Sequence, residues 1–532
     1  MSNPTLDLTQ AAELIASAQK LIDQATDRLA ALGGVDKNQT LAYDLAHAAS
    51  GIATARFNLD YAAKGTTESH LMAAFLAQAL ADMATRVQGR EALWGFNADW
   101  YAPFASFVAT FRDPAFVASL AETPGPKHLD EQFQMVADTF HRFAEQEVRP
   151  HAEHVHRTNG DIPDSIIQGL AELGGFGLSV PEEFGGFADG GESDYLGMVV
   201  ATEELSWGGL GIGGSLITRP EILTRALVNG GTEEQKNSWL PRVATAEVLA
   251  AVAVTEPDYG SDVAGLTTTA TKVDGGWIIN GTKTWCTFAA RANVLLLLAR
   301  TDSDRSKAHR GLSLFLVEKP IGDGHGFQFS QEHASGAGRL EGRPIDTLGY
   351  RGMHSYELSL DNWFVSDEHL IGGEAGLGKG FYYQMAGFEN GRIQTAARAV
   401  GLMQAAYEAA LEYAKNRVVF GEPIINYELT RVKLGQMAAI IQSTRQYSLG
   451  VAKLMAKGEG GLEASMAKAY VCRAAEAVTR EALQIHGGMG YAEEYAVSRY
   501  FVDARVLSIF EGADETLCLK VIARRMLELR GH

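Results

Sequence analysis

Apolar residues recur at helical spacing through the first part of the chain. Leu14, Ala18, Leu21, Ala25, Leu29 and Leu32 form one stripe, and Gly33-Gly34 ends it. Leu41, Leu45, Ala49, Ile52 and Leu59 mark a second helix, and a third is predicted from about His70 to Val87. This Ala-rich stretch predicts a small helical bundle with no catalytic constellation. Its aromatic patch of Trp94, Phe96, Trp100, Tyr101, Phe104 and Phe107 reads as core or interface. Thr123-Pro-Gly-Pro126 reads as a linker. Helices resume from about Leu129 and continue to about Gly231. The pattern changes near Ala246. Ile278-Ile279, Val294 to Leu298 and Leu314 to Val317 are short apolar runs between Gly, Asp and Asn turns, the mark of strands in an antiparallel barrel or sandwich. Long amphipathic periodicity returns over Phe381–Val418, Glu428–Lys457, Gly461–His486 and Thr516–Leu529, as in a helical bundle.

The expected fold is therefore multidomain α+β. It comprises a helical N-terminal extension (1–126), an α-helical domain (127–245), a middle β-domain (246–371) and a C-terminal four-helix bundle (372–532). A length of 532 residues accommodates these parts. Composition is ordinary for a globular chain, at 46 % hydrophobic and 21 % charged. The net charge of −19 repels nucleic-acid phosphates and argues against DNA or RNA as partners. Three scattered cysteines, Cys286, Cys472 and Cys518, offer no disulfide framework and no metal-ligand spacing. The opening residues lack the features of a targeting leader, and no apolar run is long enough to span a membrane. The expectation is a cytoplasmic protein without metal. No strand–GxGxxG–helix unit and no P-loop is present.

Five motifs carry candidate chemistry. Val254 to Asp262 (Val-Thr-Glu-Pro-Asp-Tyr-Gly-Ser-Asp) is a strand entering a turn, where Thr255 and Ser261 offer hydroxyls. Ile278 to Thr287 contains Asn280-Gly281, a hairpin signal, and Trp285 and Thr287, which strict alternation would place on one face. Arg417 to Ile424 presents a guanidinium suited to phosphate beside Phe420. Gln484 to Tyr491 is a glycine-rich helix stop that lets backbone approach a ligand. In Ile509 to Thr516, Glu511 follows an apolar stretch and precedes Gly512. It is either a helix-capping carboxylate or a base tuned by apolar surroundings.

Taken together, with Thr232-Glu-Glu-Gln-Lys236 ahead of the β-domain, these motifs resemble the acyl-CoA dehydrogenase family over residues 127–530. The resemblance implies FAD held between the β-domain and the C-terminal bundle. Thr255, Trp285 and Thr287 would contact the flavin, and Ser261 the acyl-CoA. Arg417, Phe420, Gln484 and Gly488 would reach the FAD of a neighbouring subunit, which requires a homo-oligomer, dimer or tetramer. Glu511 would be the α-proton base, its proton affinity raised by burial, while hydride leaves the β-carbon for the flavin. Its backbone N–H would help bind the thioester oxygen. Some members place the base near Arg392; here that position is Gly391, and Glu389 lies on another face, so Glu511 is favoured. Arg392 would lie near the substrate.

Ala513, Glu515 and Phe288 depart from the family pattern, and Phe288 is expected to reshape the pocket. The extension and the stretch Phe388–Arg398 imply a short, branched acyl-CoA with a free carboxylate, electrons passing to an electron-transferring flavoprotein. Arg219, Arg225 and Arg398 are candidates to pair that carboxylate. Gly208 to Gly214 is expected to border the acyl pocket, and the extension to cover a tetramer-forming surface. Dehydrogenation of another acyl-CoA, or an oxygen-using oxidase or monooxygenase on the same scaffold, is the alternative.

Overall fold

A computed structural model describes residues 3–322 and 325–532; two of the opening residues read for a leader lie outside it. The chain forms two compact units, residues 1–135 with 395–532, and residues 136–394. The extension is thus grouped with most of the C-terminal bundle, distant in sequence, and the α-helical domain with the β-domain that follows it.

In the first unit, helices Leu8–Ala31, Gln39–Phe57 and Thr66–Val87 follow the three predicted stripes. The second stripe needs correction, because its helix stops at Phe57 and Leu59 opens a separate short turn. Gln39–Phe57 is also buried almost all round, from Leu41 to Ala55, rather than on one face. Small residues make this possible, and an all-round apolar helix is an interior helix. It runs against the C-terminal bundle. Asn58 Nδ2 donates to the Ser443 carbonyl at 2.9 Å, and the Phe57 and Tyr447 rings meet edge-on at 5.1 Å between centroids. Gly435 is open to the Val117 carbonyl, which a Cβ there would approach to 2.0 Å. The extension is therefore built into the bundle. Trp94, Phe96, Phe104 and Phe107 are buried core, as their pattern suggested.

The bundle helices are Gly380–Asn416, Glu428–Met455 and Gly461–His486. A further helix, Ala496–Leu507, escaped the periodicity reading. The last segment starts at Asp514 and passes through a π-helical stretch at Leu517–Ile522.

The second unit joins helices to a sheet. Its strands are β1 (Ala250–Ala253), β2 (Thr269–Val273), β3 (Gly276–Thr287), β4 (Val294–Arg300), β5 (Leu312–Glu318), β6 (Phe327–His333), β7 (Gly336–Ile345) and β8 (Ser355–Ser366). Their order is β1-β4-β2-β3-β8-β7-β6, with β5 on the other side of β4. Most pairs are antiparallel as expected, but β1 and β2 both run parallel to β4. The expected hairpin at Asn280-Gly281 is also corrected. That dipeptide lies inside β3 at a register shift against β8, and the β2–β3 turn is at Asp274-Gly275. A Cβ at Gly281 would come within 2.5 Å of the Thr268 hydroxyl, so the glycine serves close approach there. β4 is buried at every position, which explains its unbroken apolar run. Its two faces feed two cores, one through Leu295 and Leu297 and the other through Leu296 and Leu298.

Thr232 caps helix Glu233–Ala244 in a full capping box with Gln235. The Gly208–Gly214 stretch is buried and tightly filled. Cβ atoms at Gly211, Gly213 and Gly214 would meet the Arg351 carbonyl, the Leu205 carbonyl and the Ser206 hydroxyl at 2.3, 2.5 and 1.9 Å. These three glycines serve close packing of protein on protein.

Candidate active site

In the first unit, helix Ala496–Leu507 ends at Ser508, and the chain reverses through Phe510, Glu511 and Gly512. Glu511 has φ +52° and Gly512 φ +98°. A glutamate in the left-handed region costs about 1 kcal/mol or more, and such strain collects at functional sites. The turn is closed by Asp514 N donating to the Ser508 carbonyl at 3.1 Å.

The Glu511 carboxylate lies beside two groups on helix Gly380–Asn416. Arg398 Nη2 donates to Oε1 at 2.7 Å, and the Thr395 hydroxyl donates to Oε2 at 3.1 Å. Arg398 also donates to Thr395 Oγ1 at 2.6 Å, and its guanidinium lies 4.9 Å from the Phe510 ring centre. The Arg398 side chain is fully buried, whereas Glu511 keeps 11 % of its side-chain surface exposed. Sequence reading anticipated burial around this carboxylate but not the adjacent permanent cation, which opposes the effect of burial by favouring the ionised form. Lys468 donates to the Gly512 carbonyl, and burial pushes its ammonium below its ordinary value despite the nearby acidic groups.

Asp514 is held from the extension. His47 Nε2 lies 3.1 Å from its carboxylate, and the Tyr43 hydroxyl donates to the same oxygen. Burial pushes Asp514 up, but the hydrogen bonds of His47 and Tyr43 and nearby charge hold it below its usual range. Burial pushes His47 down. The extension, read as free of site chemistry, thus braces the segment that carries Glu511. The available signal was Tyr43 and His47 at i, i+4 in an otherwise Ala- and Leu-rich helix.

Arg417, Gln484 and Gly488 are exposed, and Phe420 is 96 % exposed at φ +52°. Their helices end together, since Tyr413 stacks on His486 at 4.2 Å between ring centres. No atom lies within 4 Å of a Cβ placed on Gly488.

In the second unit, Thr255 follows β1 and its carbonyl accepts from Thr284 N at 2.9 Å. Next to it, Glu256 accepts from Lys283 Nζ at 3.0 Å, Thr268 N at 2.8 Å, and the backbone and hydroxyl of Thr267, both at 2.7 Å. Burial pushes this carboxyl up, but the Lys283 charge and these donors outweigh it and hold it at about 2. Burial pushes Lys283 down against the pull of Glu256. This pair ties the Thr255–Asp262 turn to β3. Ser261 is at the exposed side of that turn.

Simple alternation fails for Trp285 and Thr287. β3 is irregular between Lys283 and Cys286, and Trp285 has φ +57°. Trp285 is 56 % exposed, while Thr287 is buried and hydrogen-bonds Ser355 at 3.1 Å. Phe288 is buried in a hydrophobic core. Asn390 donates to Glu221 at 3.3 Å, Glu389 is exposed, and Arg392 is half-buried. Arg219 donates to the Ser215 carbonyl and the Tyr350 hydroxyl, and Arg225 lies 3.7 Å from Glu221 and over the Tyr195 ring.

Family models match along the chain in the order of these parts. They are the N-terminal domain of acyl-CoA dehydrogenase over residues 130–247, the middle domain over 251–363 and the C-terminal domain over 378–527. The chain belongs to the acyl-CoA dehydrogenase family. It is 45 % identical over 426 residues to (2S)-methylsuccinyl-CoA dehydrogenase of Cereibacter sphaeroides, covering 80 % of this chain and 74 % of that one. The structure of butyryl-CoA dehydrogenase from Megasphaera elsdenii is similar with a TM-score of 0.68 and 30 % identity, covering 75 % of this chain and 99 % of the other. A glutaryl-CoA dehydrogenase–glutaryl-CoA complex is similar with a TM-score of 0.68 and 28 % identity, covering 76 % and 97 %.

This acyl-CoA dehydrogenase is an FAD-dependent oxidoreductase acting on CH–CH bonds of an acyl-CoA. Its residues fit the cofactor. An exposed indole, Trp285, stands on β3, and an exposed guanidinium, amide and glycine, Arg417, Gln484 and Gly488, lie at or just beyond the ends of bundle helices. Among the described residues, no helix is long and apolar enough to cross a membrane.

Proposed function

We propose that the chain oxidises (2S)-methylsuccinyl-CoA to mesaconyl-CoA in the ethylmalonyl-CoA pathway, with an electron-transferring flavoprotein as acceptor. The observation that carries the reading is Glu511, a nearly buried carboxylate on a left-handed turn beside Arg398. The 45 % identity to a methylsuccinyl-CoA dehydrogenase supports the substrate.

Glu511 takes the α-proton of the thioester. Its carboxylate must be ionised to do so, and Arg398 favours that state. The turn fixes the backbone, so Thr395 and Arg398 can aim the carboxylate from two sides and limit its rotation. The Glu511 backbone N–H donates to the thioester oxygen as negative charge develops there. Thr255, Trp285 and Thr287 hold the flavin ring, and Ser261 and Arg392 contact the acyl-CoA. FAD, when bound, supplies the acceptor for the β-hydride.

Arg417, Phe420, Gln484 and Gly488 hold the FAD of a second copy of the chain, which makes the working form a homo-oligomer. Their exposure as a group supports this, since a phenylalanine 96 % exposed has a cost in water that a partner surface removes. A dimer is favoured because the extension's apolar helix already packs against the bundle.

The test is anaerobic mixing of the yellow protein with (2S)-methylsuccinyl-CoA while the flavin absorbance is followed. Rapid bleaching, lost in Glu511→Gln, is expected. Bleaching only by butyryl-CoA, isovaleryl-CoA or glutaryl-CoA would overturn the substrate.

A further inference from the structure

Helix Gln39–Phe57 is built mostly of small and apolar residues, yet it carries His47 near its middle, only 3 % exposed. Three donor atoms converge there. His47 Nε2 lies 3.1 Å from Asp514 Oδ2 and 3.5 Å from Cys518 Sγ, and Cys518 Sγ lies 3.9 Å from Asp514 Oδ1. All three residues are buried and belong to the first unit, and their donor atoms lie within 4.8 Å of one another. Spacing along the chain conceals the cluster, since His47 and Cys518 are 471 positions apart. Cys518 stands in the π-helical stretch Leu517–Ile522, and such bulges occur frequently at functional sites.

The arrangement is not that of an activated thiol. A relay of nucleophile, histidine and carboxylate sets the nucleophile and the acid on opposite ring nitrogens. Here both face Nε2. One nitrogen, one oxygen and one sulfur around a common point form a donor set for zinc. A tetrahedral ion at about 2.0–2.3 Å from its ligands holds them roughly 3.3–3.6 Å apart, and the three separations bracket that range. The outer shell is also built. The Tyr43 hydroxyl donates to Asp514 Oδ2 at 2.5 Å and accepts from Arg473 at 2.6 Å, and its ring meets His47 edge-on at 4.8 Å. A thiolate and a carboxylate carry two negative charges, which a divalent ion neutralises. Burial pushes the Cys518 thiol up, and a bound dication reverses this by taking the place of its proton. Two cations oppose the ion. Arg473, 3.8 Å from Asp514, is 44 % exposed and screened by water, and Arg86 is paired with Asp44 at 2.7 Å.

We propose that His47, Asp514 and Cys518 bind one Zn²⁺ ion per chain, at a structural site that clamps the extension to the segment following Glu511. The Tyr43 hydroxyl is the oxygen at hand for the fourth position. Asp514 N closes the Glu511 turn on the Ser508 carbonyl at 3.1 Å, so an ion on the Asp514 side chain holds that turn from the side of the extension. A site whose ligands come together only in the folded chain stabilises that chain when it binds metal. The inference depends neither on Glu511 as base nor on which acyl-CoA is oxidised.

The experiment uses the untagged, FAD-loaded full chain, stripped with a chelator and titrated with Zn²⁺ or Co²⁺. One ion should bind per chain, and saturating Zn²⁺ should raise the melting temperature by about 2–5 °C. The Co²⁺ difference spectrum should gain a near-ultraviolet thiolate-to-metal band and intense bands beyond the flavin absorption, the mark of tetrahedral coordination that includes sulfur. Cys518→Ala should abolish the thiolate band and the Zn²⁺-induced shift, whereas Cys472→Ala should keep both. His47→Gln should weaken Co²⁺ binding by about tenfold or more. Wild-type protein that binds no stoichiometric metal, or that binds Co²⁺ without the thiolate band, would overturn the site and leave the cluster a hydrogen-bonded core network. A band that persists in Cys518→Ala would do the same. The wild-type spectrum needs no variant to fold, so an unstable variant leaves the test in force.

Discussion

Glu256 is buried and Glu511 nearly so, each with a buried cation, at 3.0 and 2.7 Å, yet their surroundings differ. Glu256 accepts from Lys283, Thr268 and twice from Thr267, and it is held at about 2. Glu511 has a left-handed backbone, a rim of solvent exposure, and donors from Arg398 and Thr395. The first is a rivet that keeps the Thr255 turn on β3; the second is strained and is the group proposed as base. A buried ion pair alone therefore does not mark an active site. Backbone strain and solvent exposure separate the structural carboxylate from the one proposed to take a proton.

The sharpest test of this contrast uses two isosteric changes. Glu511→Gln should slow flavin reduction by about 10²–10⁴-fold in protein that still binds FAD. Glu256→Gln should keep that rate within about tenfold but lower stability by about 3–5 kcal/mol, because Lys283 is left buried without its anion. Stopped-flow absorbance and chemical denaturation read the two effects separately. Equal kinetic damage from both would remove the distinction.

A second measurement adds Lys283→Met to Glu256→Gln. Removing both charges should recover most of the lost stability, since an apolar pair of similar volume tolerates the site. A double variant no more stable than Glu256→Gln would show that the loss came from the hydrogen bonds to Thr267 and Thr268.

The pH dependence of stability should carry the signature of Glu256. Its carboxyl is depressed from 4.5 to about 2 on folding, so the unfolded state binds the proton first. Its contribution is complete above about pH 4.5 and is lost as pH falls toward about 2. Urea denaturation at stepwise lower pH should show a shallower decline in the double variant than in the wild type.

The smallest effect is expected from Thr395→Val. It removes the hydrogen bond to Glu511 and the one accepted from Arg398 but leaves the Arg398–Glu511 ion pair, about 1–2 kcal/mol or roughly five- to thirtyfold in the rate of flavin reduction. A loss as large as that of Glu511→Gln would show that the hydroxyl, rather than the guanidinium, sets the base.

Much of this protein was legible from its residues alone. Helix periodicity located the Leu8–Ala31 and Gly461–His486 helices, and short apolar runs located β3, β4 and β5, because those patterns follow from local geometry. Five motifs in order pointed to the family now matched over residues 130–247, 251–363 and 378–527. Contacts between distant segments were beyond such reading. Asn280-Gly281 looked like a turn but lies within β3, because pairing with β8 decides the register there. Trp285 left the face expected of it because an irregularity in the same strand breaks the two-residue period. Arg398 joined Glu511, and His47 joined Asp514, across long stretches of sequence. Periodicity describes what a segment presents on its faces, whereas the partner of a buried charge is chosen only when the folded chain excludes water around it.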